Sequence, residues 1–464
     1  MKVNRSIFAY MAISIIIAMT GILSWNNFDL MTWLLIIELV AFLVAVKING
    51  YFMSVGTIFA VFVFIFHCSQ GIITTFGFDD PYFHRSVIAR SQGNEFLLAE
   101  LYVLLSIVAY GISYLIKVSR KPKYVEQSLF VYDEEDNYRL RNLYKVAVTI
   151  FAICVIPLVY MDIQKITALR VGAYLDTYTT YREGIGKYIS LIGQFARPAI
   201  SLIILSLSNK KRQARTVLLV SSAYFGLMML SGDRGTNMIY IITNLFIYCK
   251  FVSKPKARTI LTGIVAGYLF MGYVSAISLF RYADFTFESF AHVFDLRSSD
   301  GIIYSSLREF GGSMISLIYS MRFIPSYANY NYGLTYIVSL LLIAPKLPQA
   351  MVNTLNNNFA FTSVFPTAYL DSLGGSVLGE LYYNFGWFGA FFTLFVGLFI
   401  SSIDLKINQS KQKKDWVTLG MIISFLPQII LWVRNYFSGI FFVGFWISVI
   451  LYVAFKKGNR HSIR

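Results

Sequence analysis

The feature that most constrains this 464-residue chain is a series of apolar runs, each about as long as a lipid bilayer core is thick. A transmembrane helix needs roughly 20 mostly apolar residues to cross a hydrocarbon core of about 30 Å. Apolar residues make up 56% of the chain and charged residues only 14%, which is far from the balance of a soluble globular domain. The runs therefore predict an all-α polytopic membrane protein.

Twelve runs are long and apolar enough to predict transmembrane helices. They cover about residues 7–23, 30–46, 51–68, 96–116, 144–161, 188–208, 217–230, 236–252, 259–280, 385–403, 416–433 and 439–455. The first run has the charged start of a signal peptide but no small-residue cleavage site, so we expect it to be retained. The predicted organisation is helices 1–9 with short loops over 1–280, a large loop over 281–384, and helices 10–12 over 385–464.

The distribution of basic residues predicts that both termini lie in the cytoplasm. With that orientation, 26 of the 40 Lys and Arg residues fall in cytoplasmic segments, as the positive-inside rule requires, and the large loop lies on the opposite side. The other basic residues are 11 Arg and 3 Lys. Since lysine would satisfy topology equally well, this arginine bias indicates multi-donor binding of phosphate or sugar oxygens.

The large loop has its own helical patterns. Apolar residues recur at helical spacing, which predicts a short amphipathic helix on the bilayer surface. They are Leu307, Phe310, Met314, Leu317, Ile318 and Met321. A second apolar stretch, Leu334 to Ala344, is too short to span and predicts a re-entrant or interfacial segment.

Five arginines are candidates for binding an anionic substrate. Arg234 lies in the tight turn Ser231-Gly232-Asp233-Arg234-Gly235-Thr236-Asn237, where it is either a phosphate clamp or part of a capped turn. Arg197 lies inside the sixth run, where an arginine marks a functional cavity or a buried ion pair. Arg281 and Arg434 stand at helix ends, where anchoring to lipid headgroups is the alternative. Arg308 lies in the large loop.

Carboxylates are few in the extracytoplasmic segments, and three are candidate general bases. They are Glu309, Asp371 and Glu380, with His292 as a further candidate. A local salt bridge or a helix cap is the alternative for each carboxylate.

The sequence has no pattern for a nucleotide, a metal or another cofactor. It has no phosphate-binding glycine-rich loop of either common type and no HExxH sequence. The three cysteines lack metal-ligand spacing. The net charge of +16 is divided among short clusters between apolar runs, so we do not expect nucleic acid as a partner.

Three segments resemble those of O-antigen polymerases of the Wzy type. They are Ser231-Gly232-Asp233-Arg234-Gly235, Leu307-Arg308-Glu309-Phe310-Gly311-Gly312-Ser313 and Gly374-Gly375-Ser376-Val377-Leu378-Gly379-Glu380-Leu381-Tyr382-Tyr383-Asn384-Phe385-Gly386. The resemblance implies a bacterial inner-membrane enzyme with a C-type glycosyltransferase-like helical fold. It further implies a substrate linked to undecaprenyl pyrophosphate and a site on the periplasmic face. A chain-length regulator protein is a candidate partner that the sequence does not identify.

The implied reaction suits the candidate residues. A terminal sugar hydroxyl of one lipid-linked repeat unit would attack the anomeric carbon of the growing chain, and undecaprenyl pyrophosphate would leave. Arginines can stabilise the negative charge that develops on the leaving group, and a carboxylate can accept the hydroxyl proton. A flippase or exporter of lipid-linked oligosaccharides and an O-antigen ligase remain alternatives, although the long loop and the few charges at mid-membrane favour an enzyme over a flippase.

Overall fold

A computed structural model describes residues 5–78, 86–120, 132–170, 184–231, 233–254, 263, 266–270, 272–273, 301–344, 365–366 and 374–461. Within these ranges the secondary structure is helical, without a β-strand. The α-helices are α1 (Arg5–Leu23), α2 (Phe28–Ile48), α3 (Val55–Thr75), α4 (Val87–Arg90), α5 (Glu95–Ser119), α6 (Glu134–Arg170), α7 (Gly184–Gly193), α8 (Ala196–Ser206), α9 (Lys211–Met228), α10 (Arg234–Ile247), α11 (Ile302–Gly311), α12 (Met314–Phe323), α13 (Leu334–Leu341), α14 (Val377–Phe385), α15 (Phe388–Gln412), α16 (Trp416–Leu431) and α17 (Phe441–His461).

Among the described residues, nine helical segments are long and apolar enough to cross a membrane. They are Arg5–Leu23, Phe28–Ile48, Val55–Thr75, Glu95–Ser119, Glu134–Thr167, Tyr188–Ser206, Lys211–Ser231, Phe388–Gln412 and Trp416–Arg434. The prediction of an all-α polytopic membrane protein is therefore confirmed, whereas the count of twelve is not.

The three other predicted spans differ in their outcome. The run at 236–252 forms the 14-residue helix α10 followed by a π-helical turn, Tyr248–Val252, and is not among the nine segments. The apolar part of α17, Phe441–Lys456, is likewise shorter than a full span. Most of the run at 259–280 lies outside the described residues.

The chain forms two compact units, and each is assembled from separate stretches of sequence. Unit 1 comprises Met1–Glu126, Phe310–Gln409 and Gln428–Phe442. Unit 2 comprises Gln127–Glu309, Ser410–Pro427 and Val443–Arg464. The described part of the large loop thus contributes to both units.

In unit 1, helices α1, α2, α3 and α5 pack closely against one another. Gly111 of α5 permits this approach, because a Cβ atom there would overlap the hydroxyl of Tyr10 on α1. The ring of Phe42 lies 5.9 Å from the rings of Tyr110 and Tyr114, so aromatic contacts fill the space between α2 and α5.

A carboxylate from a distant helix caps α3. Asp404 of α15 accepts hydrogen bonds from the backbone N–H groups of Val55 and Gly56, each at 2.9 Å, and from the hydroxyl of Tyr114, also at 2.9 Å. The first N–H groups of a helix have no partner within the helix and carry partial positive charge. Asp404 is fully buried and satisfies them, which fixes α15 against α3.

The amphipathic pattern of the large loop forms two helices instead of the one we expected. A turn at Gly312 and Ser313 separates α11 from α12. Residues 314–320 of α12 are all buried, and the helix packs against α5 and α14 of unit 1. This segment is therefore covered by protein on every side and does not lie on a bilayer surface. The stretch after Gly333 forms the eight-residue helix α13, and its re-entrant or interfacial position stays a prediction.

Unit 2 is organised around the long helix α6. Ile150, Cys154 and Leu158 lie along one face of α6 and pack against Ala196 and Ala199 of α8. The small alanine side chains let the two helix backbones approach closely. This packing places the C-terminal part of α6 beside the N-terminal turn of α8, where Arg197 lies.

Asp404→Ala is expected to lower the free energy of unfolding by about 3 kcal/mol, because it leaves two buried backbone N–H groups without their acceptor and removes one of the two acceptors of the Tyr114 hydroxyl. The measurement is SDS-induced unfolding of purified protein, followed by tryptophan fluorescence. The matched control is Glu135→Ala, which removes an exposed ion pair with Arg139 and should cost less than about 1 kcal/mol. Equal losses from both variants would contradict the capping role of Asp404.

Candidate functional site

Charged side chains gather in unit 2 where the ends of several helices meet. They come from the C-terminal part of α6, the first turn of α8, the start of α10 and the end of α11. We call this set the charged cluster: Asp162, Lys165, Arg197, Asp233, Arg234 and Glu309. Its three cations and three carboxylates balance, and mutual pairing of this kind offsets the cost of placing charge away from water.

Arg197 lies between two carboxylates. Its Nη2 donates to Asp162 Oδ1 at 3.2 Å, and its Nη1 lies 3.8 Å from Asp233 Oδ2. Asp162 also accepts a hydrogen bond from the hydroxyl of Tyr224 at 2.7 Å. The side chain of Asp162 is 3% exposed. Because both of its oxygens are bonded, Asp162 holds the guanidinium of Arg197 in one orientation.

Arg234 is the first residue of α10 and contacts a carboxylate of α11. Its Nη2 donates to Glu309 Oε1 at 2.6 Å. The Arg234 side chain is 7% exposed, whereas that of Glu309 is 32% exposed. The first turn of α10 is closed by Asn237, whose amide donates to the carbonyl of Asp233 at 2.6 Å. The turn predicted around Arg234 therefore presents the guanidinium to a partly accessible carboxylate.

Asp233 lies immediately before Arg234 and contacts two other cations. Lys165 Nζ donates to Asp233 Oδ2 at 3.2 Å, the oxygen that also lies near Arg197. Burial on its own would raise the pKa of Asp233, but the charges of Lys165 and Arg197 and a hydrogen bond from Thr236 together hold that pKa well below its usual range. Asp233 is therefore ionised at any physiological pH.

Glu380 lies in unit 1, in a different setting. It is fully buried on α14, and its Oε2 accepts hydrogen bonds from Trp432 Nε1 at 3.3 Å and from the backbone N–H of Phe437 at 3.0 Å. Its Oε1 has no hydrogen-bond partner among the described residues. Burial raises the pKa of Glu380 to about 7, although the bonds from Phe437, Thr335 and Trp432 oppose the shift.

The start of α14 carries a second buried polar contact. Ser376 caps the helix by accepting from the N–H of Gly379 at 3.2 Å, and it lies 2.8 Å from Nε2 of His67 on α3. His67 Nδ1 lies 2.9 Å from the carbonyl of Val63. Since a carbonyl can only accept, Nδ1 carries the proton, and a neutral His67 ring accepts the Ser376 hydroxyl at Nε2.

The Gly374-Gly375 sequence allows two backbones to meet. A Cβ atom on Gly375 would lie 2.5 Å from the carbonyl carbon of Asn435, so only glycine fits there. Asn435 follows Arg434, whose guanidinium lies 5.2 Å above the ring centre of Phe66. The conspicuous glycine pair thus positions the segment that carries Arg434.

Arg322 is an arginine outside the predicted cytoplasmic segments whose contacts are structural. Arg322 of α12 binds both carboxylate oxygens of Glu95, at 2.8 and 2.5 Å, and donates to the carbonyl of Arg90 at 3.0 Å. Its guanidinium also lies 5.1 Å from the ring centre of Tyr319. Arg322 therefore ties the segment before α5 to α12, and the arginine bias has a structural component.

The structure brings together only some of the residues selected from the sequence. Arg197, Arg234 and Glu309 belong to the charged cluster, and Arg308 lies beside Glu309 on α11. Glu380 and Arg434 lie in unit 1. Arg281, Asp371 and His292 lie outside the described residues.

Several polar residues of these sites were not predicted from the sequence. Lys165 and Asp162 lie at the end of a predicted span, and their spacing of three residues was the available signal, since it places both on one face of a helix. His67, inside the third predicted span, could have been selected because ionisable residues there are rare. In the described part of the chain, no three His, Cys, Asp or Glu side chains form a metal-ligand group.

The helices and these polar sites define a multi-pass α-helical membrane protein with buried ionisable groups at helix ends. A family profile described as O-antigen polysaccharide polymerase Wzy matches residues 4–457, nearly the whole chain. The chain therefore belongs to the Wzy O-antigen polymerase family, as the resemblance predicted. No curated protein and no solved structure matches it.

Family membership places the chain in lipopolysaccharide biosynthesis, as a polymerase with glycosyltransferase-like activity on lipid-linked oligosaccharide repeat units. It supports a multi-pass protein of the bacterial inner membrane. Of the functions that the sequence left open, the polymerase is the one that this finding supports.

Glu380 is expected to make stability depend on pH. Its folded-state pKa of about 7 exceeds the ordinary value of 4.5, so the stabilisation is complete below about pH 4.5 and is lost as pH rises through 7. Glu380→Gln, which imitates the protonated carboxyl, should remove this dependence, a difference on the order of 3 kcal/mol between pH 5 and pH 8. The measurement is unfolding of both proteins across that range. Glu135→Gln is the exposed control, and an identical pH profile in wild type and Glu380→Gln would disprove the raised pKa.

Proposed function

We propose that the charged cluster binds and activates undecaprenyl pyrophosphate on the donor glycan. The growing chain is transferred from this carrier to a terminal sugar hydroxyl of a lipid-linked repeat unit, at the periplasmic face of the inner membrane. The observation that carries the proposal is the contact of Arg234 with Glu309, which places a guanidinium suited to phosphate beside a carboxylate that is 32% exposed. Both residues lie in segments that resemble the polymerase family.

The proposed step forms one bond and breaks another. The oxygen of the acceptor hydroxyl forms a bond to the anomeric carbon of the donor, and the bond from that carbon to the pyrophosphate oxygen breaks. The electron pair of the broken bond stays on the pyrophosphate. Arg234 stabilises this developing charge, because a buried, preoriented donor is worth more than one in water. The hydroxyl proton passes to a carboxylate.

Glu309 is the carboxylate that we propose as the base. It is partly exposed and lies next to the proposed phosphate clamp, whereas Glu380 is fully buried and bonded to Trp432 and Phe437. Pyrophosphate that draws Arg234 to itself would also release Glu309 from its ion pair. Glu309 could then accept the hydroxyl proton. On this scheme Glu380 is a positioning residue that joins α14 to the segment at 432–437.

The remaining selected residues have proposed roles that follow from their positions. Arg308 precedes Glu309 on α11 and is proposed to bind the substrate beside Arg234. Arg281, Arg434 and Asp371 stay proposals from the sequence, as substrate-binding arginines and an alternative base. The cytoplasmic orientation of both termini and an interaction with a chain-length regulator protein belong to the same proposal, since the positive-inside distribution and the family support them.

Purified protein in lipid nanodiscs is expected to convert its lipid-linked repeat unit into a ladder of longer glycans without added nucleotide, because cleavage of the bond between the anomeric carbon and the pyrophosphate oxygen supplies the driving force. The glycans are separated by gel electrophoresis. The parallel experiment uses protein in sealed vesicles and measures movement of the same unit across the bilayer. Single units that cross the bilayer without being joined would contradict the proposed transfer and support a flippase.

Arg234→Ala is expected to slow elongation by about 100- to 1,000-fold, as the loss of one preoriented donor does elsewhere. Glu309→Gln should cost about 100-fold or more if Glu309 accepts the proton. Because the two residues act as a unit, the double variant should be little slower than the slower single variant. Elongation rates are measured per folded molecule in nanodiscs.

The matched control is Arg322→Ala, since Arg322 is also a paired arginine outside the predicted cytoplasmic segments but binds Glu95 and a backbone carbonyl. It should lower the unfolding temperature and leave elongation per folded molecule within a few fold of wild type. Normal elongation by Arg234→Ala, or an equal loss in Arg322→Ala, would disprove the assignment of Arg234.

A further inference from the structure

Asp233 occupies a place in the charged cluster where an anionic oxygen meets two cations. A single atom, Oδ2, lies 3.2 Å from Lys165 Nζ and 3.8 Å from Arg197 Nη1. The Asp233 side chain is 18% exposed, against 3% for Asp162. Of the two carboxylates that contact Arg197, Asp233 is therefore the one that a ligand can reach.

Arg197 is already oriented for a ligand by the rest of the cluster. Asp162 holds its Nη2, and Tyr224 in turn bonds the second oxygen of Asp162. The Nε atom of Arg197 is buried and has no hydrogen-bond partner among the described residues. An arginine that is held in one orientation is suited to bind a phosphate oxygen, which here would take the place of Asp233 at Nη1.

The charge balance of the cluster is unusual for a site that binds an anion. Its three cations are neutralised by three carboxylates, so a bare pyrophosphate gains little net attraction on approach. It binds well only if it takes over cations from the carboxylates inside the cluster. Asp233 stays ionised, so its charge is removed from Lys165 and Arg197 by displacement and not by protonation.

We propose that Asp233 is an internal counter-anion that the substrate pyrophosphate displaces from Lys165 and Arg197, which form a second half of the pyrophosphate subsite beside Arg234. This inference rests on the proposed function and gives Lys165 and Asp233 specific roles within it. Asp233 returns to the two cations after transfer and competes with the pyrophosphate product, so it limits affinity and promotes release. Lys165 and Arg197 thereby bind phosphate only while substrate is present.

The test uses farnesyl diphosphate as a short probe of the lipid carrier. Its dissociation constant is measured for the full-length protein in nanodiscs by microscale thermophoresis. Asp233→Asn keeps the shape of the side chain and removes the competing charge, so it is expected to bind the probe about tenfold more tightly than wild type. The same variant should show stronger inhibition of elongation by added farnesyl diphosphate, since product leaves more slowly.

The matched control is Asp162→Asn, which removes the same charge from the same arginine at the unexposed position. It should not tighten binding, because Asp233 still occupies Lys165 and Arg197. Lys165→Gln should weaken binding several-fold in an otherwise wild-type protein. It should also reduce the gain in Asp233→Asn, since half of the released pair is missing.

Two results would overturn the proposal: no tightening in Asp233→Asn, or equal tightening in Asp162→Asn, which would indicate a general effect of net charge. If Asp233→Asn does not fold, Lys165→Gln decides the question, and unchanged affinity for farnesyl diphosphate overturns the role of Lys165. Whether the wild-type protein forms an elongation ladder tests the proposed polymerisation separately from the displacement of Asp233. Tighter binding in Asp233→Asn without any wild-type ladder would disprove the polymerisation chemistry and leave the anion subsite standing.

Discussion

The structure of unit 2 depends on ion pairs between buried side chains, because an unpaired buried charge is costly. An unpaired ionised side chain away from water costs several kcal/mol, whereas alternating cations and carboxylates stabilise one another. Arg197 needs Asp162 and Asp233, and these come from α6 and from the start of α10. The pairing therefore fixes the ends of these helices relative to α8, and it gives the cluster its geometry before any substrate arrives.

Glu380 and Glu309 differ in burial and in contacts, and we propose different roles for them on that ground. Glu380 is fully buried and bonded to Trp432 and Phe437, which suits a residue that joins two segments, and burial raises its pKa to about 7. Glu309 is 32% exposed and pairs with the guanidinium of Arg234, for which a phosphate could compete. Differences of this kind separate acids, bases and structural carboxyls in many enzymes. They are the reason to propose Glu309 as the base.

In the mechanism that we propose, the polymerase has to release a pyrophosphate carrier after every transfer. A site with three uncompensated cations would bind that product tightly and be slow to turn over. We propose that the balanced cluster avoids this, because Asp233 and Glu309 pair with the cations again when the product dissociates. Affinity is reduced for substrate and product alike, which raises turnover when substrate is plentiful.

The sequence by itself determined the fold class and the family. Apolar runs of spanning length leave helices as the solution in lipid, and short motifs around Arg234, Glu309 and Glu380 indicated the polymerase family that the profile match confirmed. It could not show that α12 is buried within unit 1, because an amphipathic pattern marks an apolar face without saying what covers it. Nor could it select Lys165 and Asp233 as partners, since they lie 68 residues apart in the chain. Only tertiary structure decides which charges meet, because pairing depends on the approach of separate helices and not on local sequence.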